Sequence, residues 1–284
     1  MEELKNEFTT DYNVDDSDSD NWILKAKGQE VTIPAGEKEE VKTATLQGSG
    51  FCYGGNLYQV YGNGSNIWNE ITEVIQSNFK PSNDIMVDSH LWSTSDSEYP
   101  VYFWLEDNKL YYWTEASHIY LNKDVSNMFK DWSKLKNIDF IQQFNTSRTE
   151  NMSFMFWNCT TLTDFSPIKN FNVSNVTNMK NMFTYCSGMS NIDLSKWNTI
   201  NVKEMSQMFA GCSNLTTIYA STNFVVSSLT DSGNAMFGGC SLLEGGNGTK
   251  YNVSNINATM AQIDTAVYEN ETLVSGVAGY FTAK

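Results

Sequence analysis

The chain of 284 residues is long enough for one large domain or two small ones, and its 40% hydrophobic content is too high for a disordered protein. Its 18 basic and 33 acidic residues give a formal net charge of −15, which disfavours nucleic acid and anionic membranes as partners. The two histidines, His90 and His118, are too few and too isolated for most catalytic constellations. The composition therefore points away from an enzyme, and we expect no cofactor and no metal site.

The first 84 residues predict two segments. Residues 1–20 are polar and acidic and predict a flexible segment, without the basic and apolar regions of a signal peptide. Residues 21–84 contain short β-like runs at 31–33 and 58–61 and predict a small β-rich N-terminal module. Apolar residues at helical spacing over 68–79 predict a short helix that Pro81 stops. No run of 18 apolar residues occurs, so we expect no direct membrane insertion.

An aromatic hairpin is predicted in the segment that precedes residue 125. Residues 101–105 and 110–113 are its predicted strands, and residues 106–109 are its predicted turn. The hairpin lies within residues 85–124, which we interpret as an N-terminal cap that hides the first strand edge. Alternation along the strands turns one face outward. Trp104 and Trp113 are therefore candidate ligand-binding residues, since exposed flat rings can stack on sugars.

Residues 125–245 contain an internal repeat marked by a Met-Phe pair. Five copies of this pair occur at spacings of 26 to 28 residues, beginning at Met128, Met155, Met182, Met208 and Met236. Four residues after the methionine comes a cysteine, except in the first copy, where Trp132 takes its place. Two apolar residues three positions apart follow, as in Met189 and Ile192. This register predicts similar units that stack on one another.

Each predicted unit has two halves with different periods. Residues 189–194 predict a short strand, and residues 202–212 place their apolar side chains on one face of a helix. The sequence therefore predicts an α+β repeat fold. Its core is a leucine-rich-repeat-type solenoid of strand–helix units, preceded by the β-rich N-terminal segment and closed by a C-terminal cap at residues 246–284.

The repeat motif is illustrated by residues 176–198, VTNMKNMFTYCSGMSNIDLSKWN. This motif resembles the 26-residue repeats of the BspA-like surface proteins, a family often called the DUF285 bacterial surface-protein repeats. The resemblance covers roughly residues 100–284. The chain departs from the family pattern in the first copy, which lacks the cysteine, and at Ser227-Ser228, which stretch the fourth copy. It also has Val277-Ala278 where the family usually has proline. The resemblance implies a bacterial surface or secreted adhesin.

Four cysteines share one repeat position, Cys159, Cys186, Cys212 and Cys240. Zinc-binding spacing such as C-x-x-C is absent, and Trp132 in the same column indicates a packing position. Equivalent side chains in a stack point in parallel, which the disulfide dihedral near 90° resists. The sequence therefore predicts buried free thiols in this column, and Cys52 is also predicted to be buried.

We expect a non-enzymatic, adhesin-like interaction protein that binds a protein or glycan of a host or neighbouring cell through the solenoid face. Polar positions beside the core of each strand supply the candidate ligand-binding residues Asp139, Asp193 and Tyr219. The expected location is extracellular or at the cell surface, with any export signal absent from this chain. One alternative is a phage decoration or receptor-binding protein at the virion surface. Another is a carbohydrate-active enzyme, although no spacing of carboxylates selects a catalytic pair.

Overall fold

The structure is a computed structural model that describes residues 13–15, 21–26, 29–34, 42–48, 56–61, 67–269 and 272–284. The chain divides into two compact units, Met1–Val41 and Lys42–Lys284. In the first unit, three antiparallel strands form a sheet in chain order, β1 (Asn13–Asp15), β2 (Asn21–Ala26) and β3 (Gln29–Pro34). The strand predicted at 31–33 is confirmed within β3. The predicted flexible segment at 1–20 lies outside the described residues apart from β1.

The second unit begins with four short elements, three of which differ from the sequence prediction. They are β4 (Thr43–Thr45), α1 (Asn56–Tyr61), a 3-10 helix at Ile67–Glu70 and β5 (Glu73–Gln76). The strand predicted at 58–61 is wrong because these residues belong to α1. The helix predicted over 68–79 is wrong because residues 73–76 pair with a neighbouring strand. Ile71 and Val74 are buried in this turn and strand, and they would also be buried on the apolar face of a helix. Their spacing therefore does not distinguish the two structures.

The aromatic hairpin is confirmed. Its strands are β6 (Val101–Glu106) and β7 (Lys109–Thr114), joined by Asp107 and Asn108. Both turn residues have positive φ, 48° and 59°, as a two-residue type I′ turn requires, and Asn and Asp tolerate this conformation better than other side chains. Strand β5 pairs with β7 in parallel, so the sheet order is β5-β7-β6.

The strand–helix solenoid predicted for residues 125–245 is wrong. This segment contains no α-helix; it consists of consecutive turns, 3-10 helices at Asp139–Gln143 and Ser166–Asn170, and three short strands. No single sheet follows the repeats. The strand β9 (Phe144–Asn145) pairs with β8 (His118–Tyr120), whereas β10 (Asn191–Asp193) and β11 (Thr217–Ala220) belong to another sheet.

Residues 202–212 show why the predicted helix does not form. Gln207 and Gly211 have positive φ, 57° and 74°, which interrupts a right-handed helix every four residues. The N–H of Met208 donates to Met205 at 3.2 Å, whereas the N–H groups of Gln207 and Phe209 donate to the next unit, each at 2.9 Å. Successive N–H groups therefore donate alternately within the unit and to the next unit. Apolar residues spaced three to four positions apart fit these turns as well as they fit a helix.

The repeat units nevertheless share a core of stacked phenylalanine rings. The Phe of each Met-Phe pair is fully buried and lies over the next, at Phe129, Phe156, Phe183, Phe209 and Phe237. Successive ring centroids are 5.5, 5.8, 5.6 and 5.9 Å apart, and the planes are within 23° of parallel. Each unit thus contributes one ring to a continuous column.

In each Met-Phe segment, backbone N–H groups donate to carbonyl groups of the next unit. The last unit has no following repeat, so its N–H groups need other acceptors. The segment after the repeats supplies their acceptors. The Asn257 side-chain oxygen accepts from Ala235 at 2.8 Å, and the Tyr251 hydroxyl accepts from Gly239 at 3.1 Å. These contacts take the place of the carbonyl acceptors that a following repeat unit would supply.

The C-terminal segment contains a hairpin and one further strand. The hairpin is formed by β12 (Val267–Glu269) and β13 (Thr272–Ser275). Strand β14 (Phe281–Ala283) pairs in parallel with β11 and completes the sheet β10-β11-β14. Among the described residues, no helix has the length and apolar character needed to cross a bilayer.

Candidate binding site

The sheet β5-β7-β6 has one buried face and one aromatic outer face. Alternation buries Val101, Phe103, Leu110 and Tyr112 on the inner side. The outer side carries four partly exposed rings, which we call the sheet face: Tyr102, Trp104, Tyr111 and Trp113. The strand period of two therefore places Trp104 and Trp113 on one surface, because each stands opposite a tyrosine that points to the same side.

The four rings of the sheet face form two cross-strand pairs. Trp104 stands opposite Tyr111, and their rings stack with centroids 5.5 Å apart and planes 12° from parallel. Tyr102 stands opposite Trp113 in the same ladder. The pairs are two residues apart along each strand, about 7 Å. This arrangement places four partly exposed rings on one side of the sheet, and their edges carry hydroxyl and indole N–H groups.

A cavity of about 330 Å³ adjoins one end of the sheet face. It is lined by Lys80, Met86, Tyr99, Pro100, Tyr102, Trp113 and Glu115. The Lys80 ammonium lies 5.5 Å from the centre of the Trp113 ring. One cation and one anion line the cavity, so its formal charges balance, which suits an uncharged ligand better than an ionic one.

The sheet face is held from below by side chains of the same sheet and its neighbours. The Thr114 hydroxyl donates to the Pro100 carbonyl at 2.8 Å and accepts from the Ala116 N–H at 3.0 Å. The Ser93 hydroxyl accepts from the Val101 N–H at 3.0 Å. The rings therefore project from backbone that packing and hydrogen bonds fix on both strands, a preformed platform rather than a loop.

Sequence reasoning identified two of the four rings. It selected Trp104 and Trp113 but not Tyr102 and Tyr111, although the same alternation places all four together. It also missed Lys80 and Met86, which lie outside the hairpin in the predicted N-terminal module and cap. The signal available for the tyrosines was the hairpin register, whereas the pairing of β5 with β7 gave no local signal.

The candidate residues of β10 and β11 lie next to each other but have partners within the chain. Asp193 is in register with Tyr219. The Asp193 carboxylate lies 2.6 Å from the Lys169 ammonium and 2.7 Å from that of Lys284, which also lies 4.5 Å from the centre of the Tyr219 ring. Lys169 and Lys284 therefore neutralise the Asp193 carboxylate, and the Lys284 ammonium also lies over the Tyr219 ring.

The electrostatics of Asp193 follow from these contacts. Partial burial raises the pKa of its carboxyl, but hydrogen bonds from Lys169, Lys284 and Ser195 outweigh burial and hold the pKa well below its usual range. The third residue of this group, Asp139, is exposed at the start of the 3-10 helix Asp139–Gln143, three repeat units before β11. Of the three predicted residues, Asp193 and Tyr219 are direct neighbours in the sheet, and Asp139 lies in a different element.

The four repeat cysteines are buried, as the sequence predicted. Each thiol donates to the carbonyl of a column phenylalanine in the preceding unit, at 3.0 to 3.1 Å. Burial raises the pKa of all four thiols, to about 12 for Cys240. Cys52 lies outside the described residues. Within the described part of the chain, no three His, Cys, Asp or Glu side chains converge as a metal site would need.

Comparison with known proteins places the repeats in one family. Residues 123–247 match the family described as "Mycoplasma protein of unknown function, DUF285". No curated protein and no solved structure matches the chain. The matched residues begin beside the first Met-Phe unit and end just after the fifth. The match covers 125 of the 284 residues, and the repeats are therefore what this chain shares with that family.

Proposed function

We propose that this chain is a non-enzymatic binding protein that holds a neutral glycan on the sheet face. The observation that carries this proposal is the pair of cross-strand ring pairs, Trp104 with Tyr111 and Tyr102 with Trp113. A pyranose ring presents an apolar C–H face surrounded by hydroxyl groups. Flat aromatic rings with polar rims complement both parts of such a ligand.

The net charge of the chain and the charges in the cavity both favour an uncharged ligand. The chain carries a net charge of −15, so sulfated or phosphorylated ligands are repelled at long range. The cavity beside the sheet face contains Lys80 and Glu115, whose charges balance. Hydroxyl groups of a glycan can accept from the ammonium and donate to the carboxylate without adding a net charge to the site.

The strand residues Asp193 and Tyr219 are the weaker candidates. An incoming basic ligand would have to displace Lys169 and Lys284 from the Asp193 carboxylate. Breaking these ion pairs offsets the new contact, so the gain in affinity is small. The sheet face requires no such exchange, apart from the Lys80 ammonium that lies over Trp113.

The non-enzymatic part of the proposal is supported by three aspartates whose pKa is lowered, because each has a structural role. Asp193 is paired with two lysines, Asp231 accepts backbone N–H bonds between repeat units, and Asp264 holds the loop at residues 247–249. A location at the surface of a bacterium, like that of the BspA-like proteins that the repeats resemble, is part of the same proposal.

The test is binding of the full chain to an array of neutral and sulfated oligosaccharides, followed by calorimetric titration with chitotriose and cellotriose. We expect binding to a neutral glycan without its cleavage. Trp104→Ala combined with Trp113→Ala should weaken affinity at least tenfold, a loss of about 1.4 kcal/mol, while leaving the fold intact.

The matched control is Asp193→Ala combined with Tyr219→Ala. We expect this variant to keep its affinity within about twofold. Loss of affinity in the control alone would assign binding to the strand residues instead of the sheet face. Release of shortened oligosaccharides from either probe would show an enzyme and contradict the proposal.

A further inference from the structure

Two positions of every repeat unit are held in the left-handed backbone region. The first column contains Asn127, Phe154, Asn181, Gln207 and Ala235, and the second contains Asp131, Asn158, Tyr185, Gly211 and Gly239. Glycine, asparagine and aspartate adopt this conformation at low cost, whereas other side chains bring Cβ close to the following carbonyl oxygen. Phe154 and Tyr185 are the two aromatic residues in these columns.

Stability does not explain the aromatic residue at position 185. Phe154 has φ 58° and Tyr185 has φ 62°, so both are in the strained region. Tyr185 is 51% exposed, and burial therefore repays little of the strain. Asparagine or glycine, as found elsewhere in the same columns, would fit the backbone better. Strain of this kind that the fold does not need is typical of a functional site.

Tyr185 contacts the Trp157 ring, and Phe154 shares the Lys130 ammonium with Trp157. We call these three rings the aromatic corner, Phe154, Trp157 and Tyr185. The rings of Trp157 and Tyr185 lie 5.6 Å apart at 79°, nearly perpendicular. The Lys130 ammonium lies 5.0 Å from the centre of the Trp157 ring and 5.7 Å from that of Phe154. The edge of one ring thus meets the face of the other, and the Lys130 ammonium lies beside Trp157.

The next unit holds the Tyr185 ring in place. A Cβ on Gly211 would come within 2.3 Å of Cδ1 of this ring, so the ring rests directly on glycine backbone. A polar pair lies at the same edge, where the Asn158 amide donates to Asp131 Oδ1 at 2.8 Å. The ring orientation is therefore fixed before any ligand arrives, which reduces the entropy lost on binding.

We propose that the aromatic corner is a second saccharide site, which takes one pyranose unit of a neutral glycan. One sugar face packs on Trp157 or Tyr185, and its hydroxyl groups exchange hydrogen bonds with the planar Asn158–Asp131 pair. The two features that such a sugar needs are an aromatic ring and a polar hydrogen-bonding pair. Trp157 supplies the ring, and Asn158, the next residue, belongs to the pair. The sheet face does not have to bind anything for this site to function.

The experiment uses the full chain with Trp104→Ala and Trp113→Ala, so that the sheet face does not contribute, and titrates it with chitotriose and cellotriose. We expect residual binding to one of them. Adding Tyr185→Asn should reduce that affinity at least tenfold and raise the midpoint of chemical denaturation. Tyr185→Phe, which keeps the ring, should retain the affinity.

Ser232→Asn is the matched control, because Ser232 is an exposed residue with φ 59° in another unit. It should raise the midpoint similarly and leave affinity unchanged. No binding in the double tryptophan variant, or unchanged affinity after Tyr185→Asn, would overturn the second site. A lower midpoint for Tyr185→Asn would show that the ring stabilises the fold, which would also overturn it. Full affinity of the double tryptophan variant would instead refute the sheet face alone.

Discussion

The repeat core and the sheet face are both built from aromatic side chains, but they use them in opposite ways. In the repeats, one phenylalanine recurs every 26 to 28 residues, and all five rings lie in one buried column. In β6 and β7, three aromatic residues follow one another on each strand, at 102–104 and 111–113, and the outer two of each three are partly exposed. The spacing of the rings therefore decides whether they form a core or a surface.

This difference matters for locating a site. A ring that recurs once per unit meets its equivalent in the next unit, as Phe183 meets Phe156 and Phe209 at 5.8 and 5.6 Å. A ring that breaks the pattern of its own column has no equivalent partner, as with Tyr185, whose column otherwise holds Asn, Asp and Gly. In a repeat protein, the exceptions to the repeat indicate the candidate site better than the repeated residues do.

The largest expected effect concerns the thiols of the repeat core. With Cys52→Ser in place, the four remaining cysteines should react with a thiol reagent at least about a thousandfold more slowly in the native chain than in denaturant. Access to them requires opening of the core, and a domain of ordinary stability opens only rarely. Timed thiol labelling at pH 8 measures this ratio. Fast reaction of all four in the native chain would contradict the buried column.

The next effect is on stability. Phe183→Ala should lower the free energy of unfolding by about 3–5 kcal/mol, because Phe183 is fully buried between two stacked rings. Trp104→Ala serves as the comparison from the sheet face and should cost much less, since its ring is partly exposed. Urea unfolding of both variants tests the contrast. Equal losses would mean that the two aromatic regions do not differ in role.

The sequence predicted the repeat register and the hairpin because both depend on local spacing. It did not predict that residues 202–212 form turns, since Met205, Met208 and Cys212 suit a helix and a chain of turns equally well. The deciding contacts, such as the N–H of Phe209 donating to Met236, join residues 27 positions apart. Local propensity carries no information about such bonds.

The residues of the candidate sites likewise differ in whether local spacing could predict them. Trp104 and Trp113 could be found from the hairpin alone, because strand alternation fixes their face. The lysine partners of Asp193 could not, since Lys169 precedes it by 24 positions and Lys284 follows it by 91. Similarly, Phe154 and Tyr185 become notable only once their left-handed backbone is known.

Asp231 provides a prediction about how the repeats end. In earlier units the N–H at this position donates to a backbone carbonyl, but that of Met205 donates to Asp231 Oδ2 at 3.0 Å. The same oxygen accepts from the Ser206 N–H at 2.7 Å, and Gly233 donates to Oδ1 at 2.9 Å. Asp231→Ala removes all these acceptors and should cost about 1–3 kcal/mol.

The pH dependence of this effect has a definite sign. Partial burial raises the pKa of Asp231, but hydrogen bonds from Ser206, Gly233 and Met205 outweigh it and lower the pKa. A lowered folded pKa stabilises the fold above the unfolded value near 4, and this contribution is lost as pH falls through the folded pKa. The stability difference between wild type and Asp231→Asn should therefore shrink between pH 6 and pH 3. A constant difference would show that the ionised Asp231 carboxylate does not stabilise the fold through these hydrogen bonds.

The smallest expected effect concerns the ion pairs beside β10. Lys169→Met and Lys284→Met should each lower stability by at most about 1 kcal/mol, because pairs near the surface gain little. Lys169 should cost more, since its side chain is 31% exposed against 47% for Lys284. Both losses should decrease as salt rises from 0.05 to 1 M, because screening weakens the same attraction in wild type. If either variant instead bound a basic peptide that wild type does not, the Asp193 carboxylate would be a site that the lysines occupy, and the strand residues would replace the sheet face as the ligand surface.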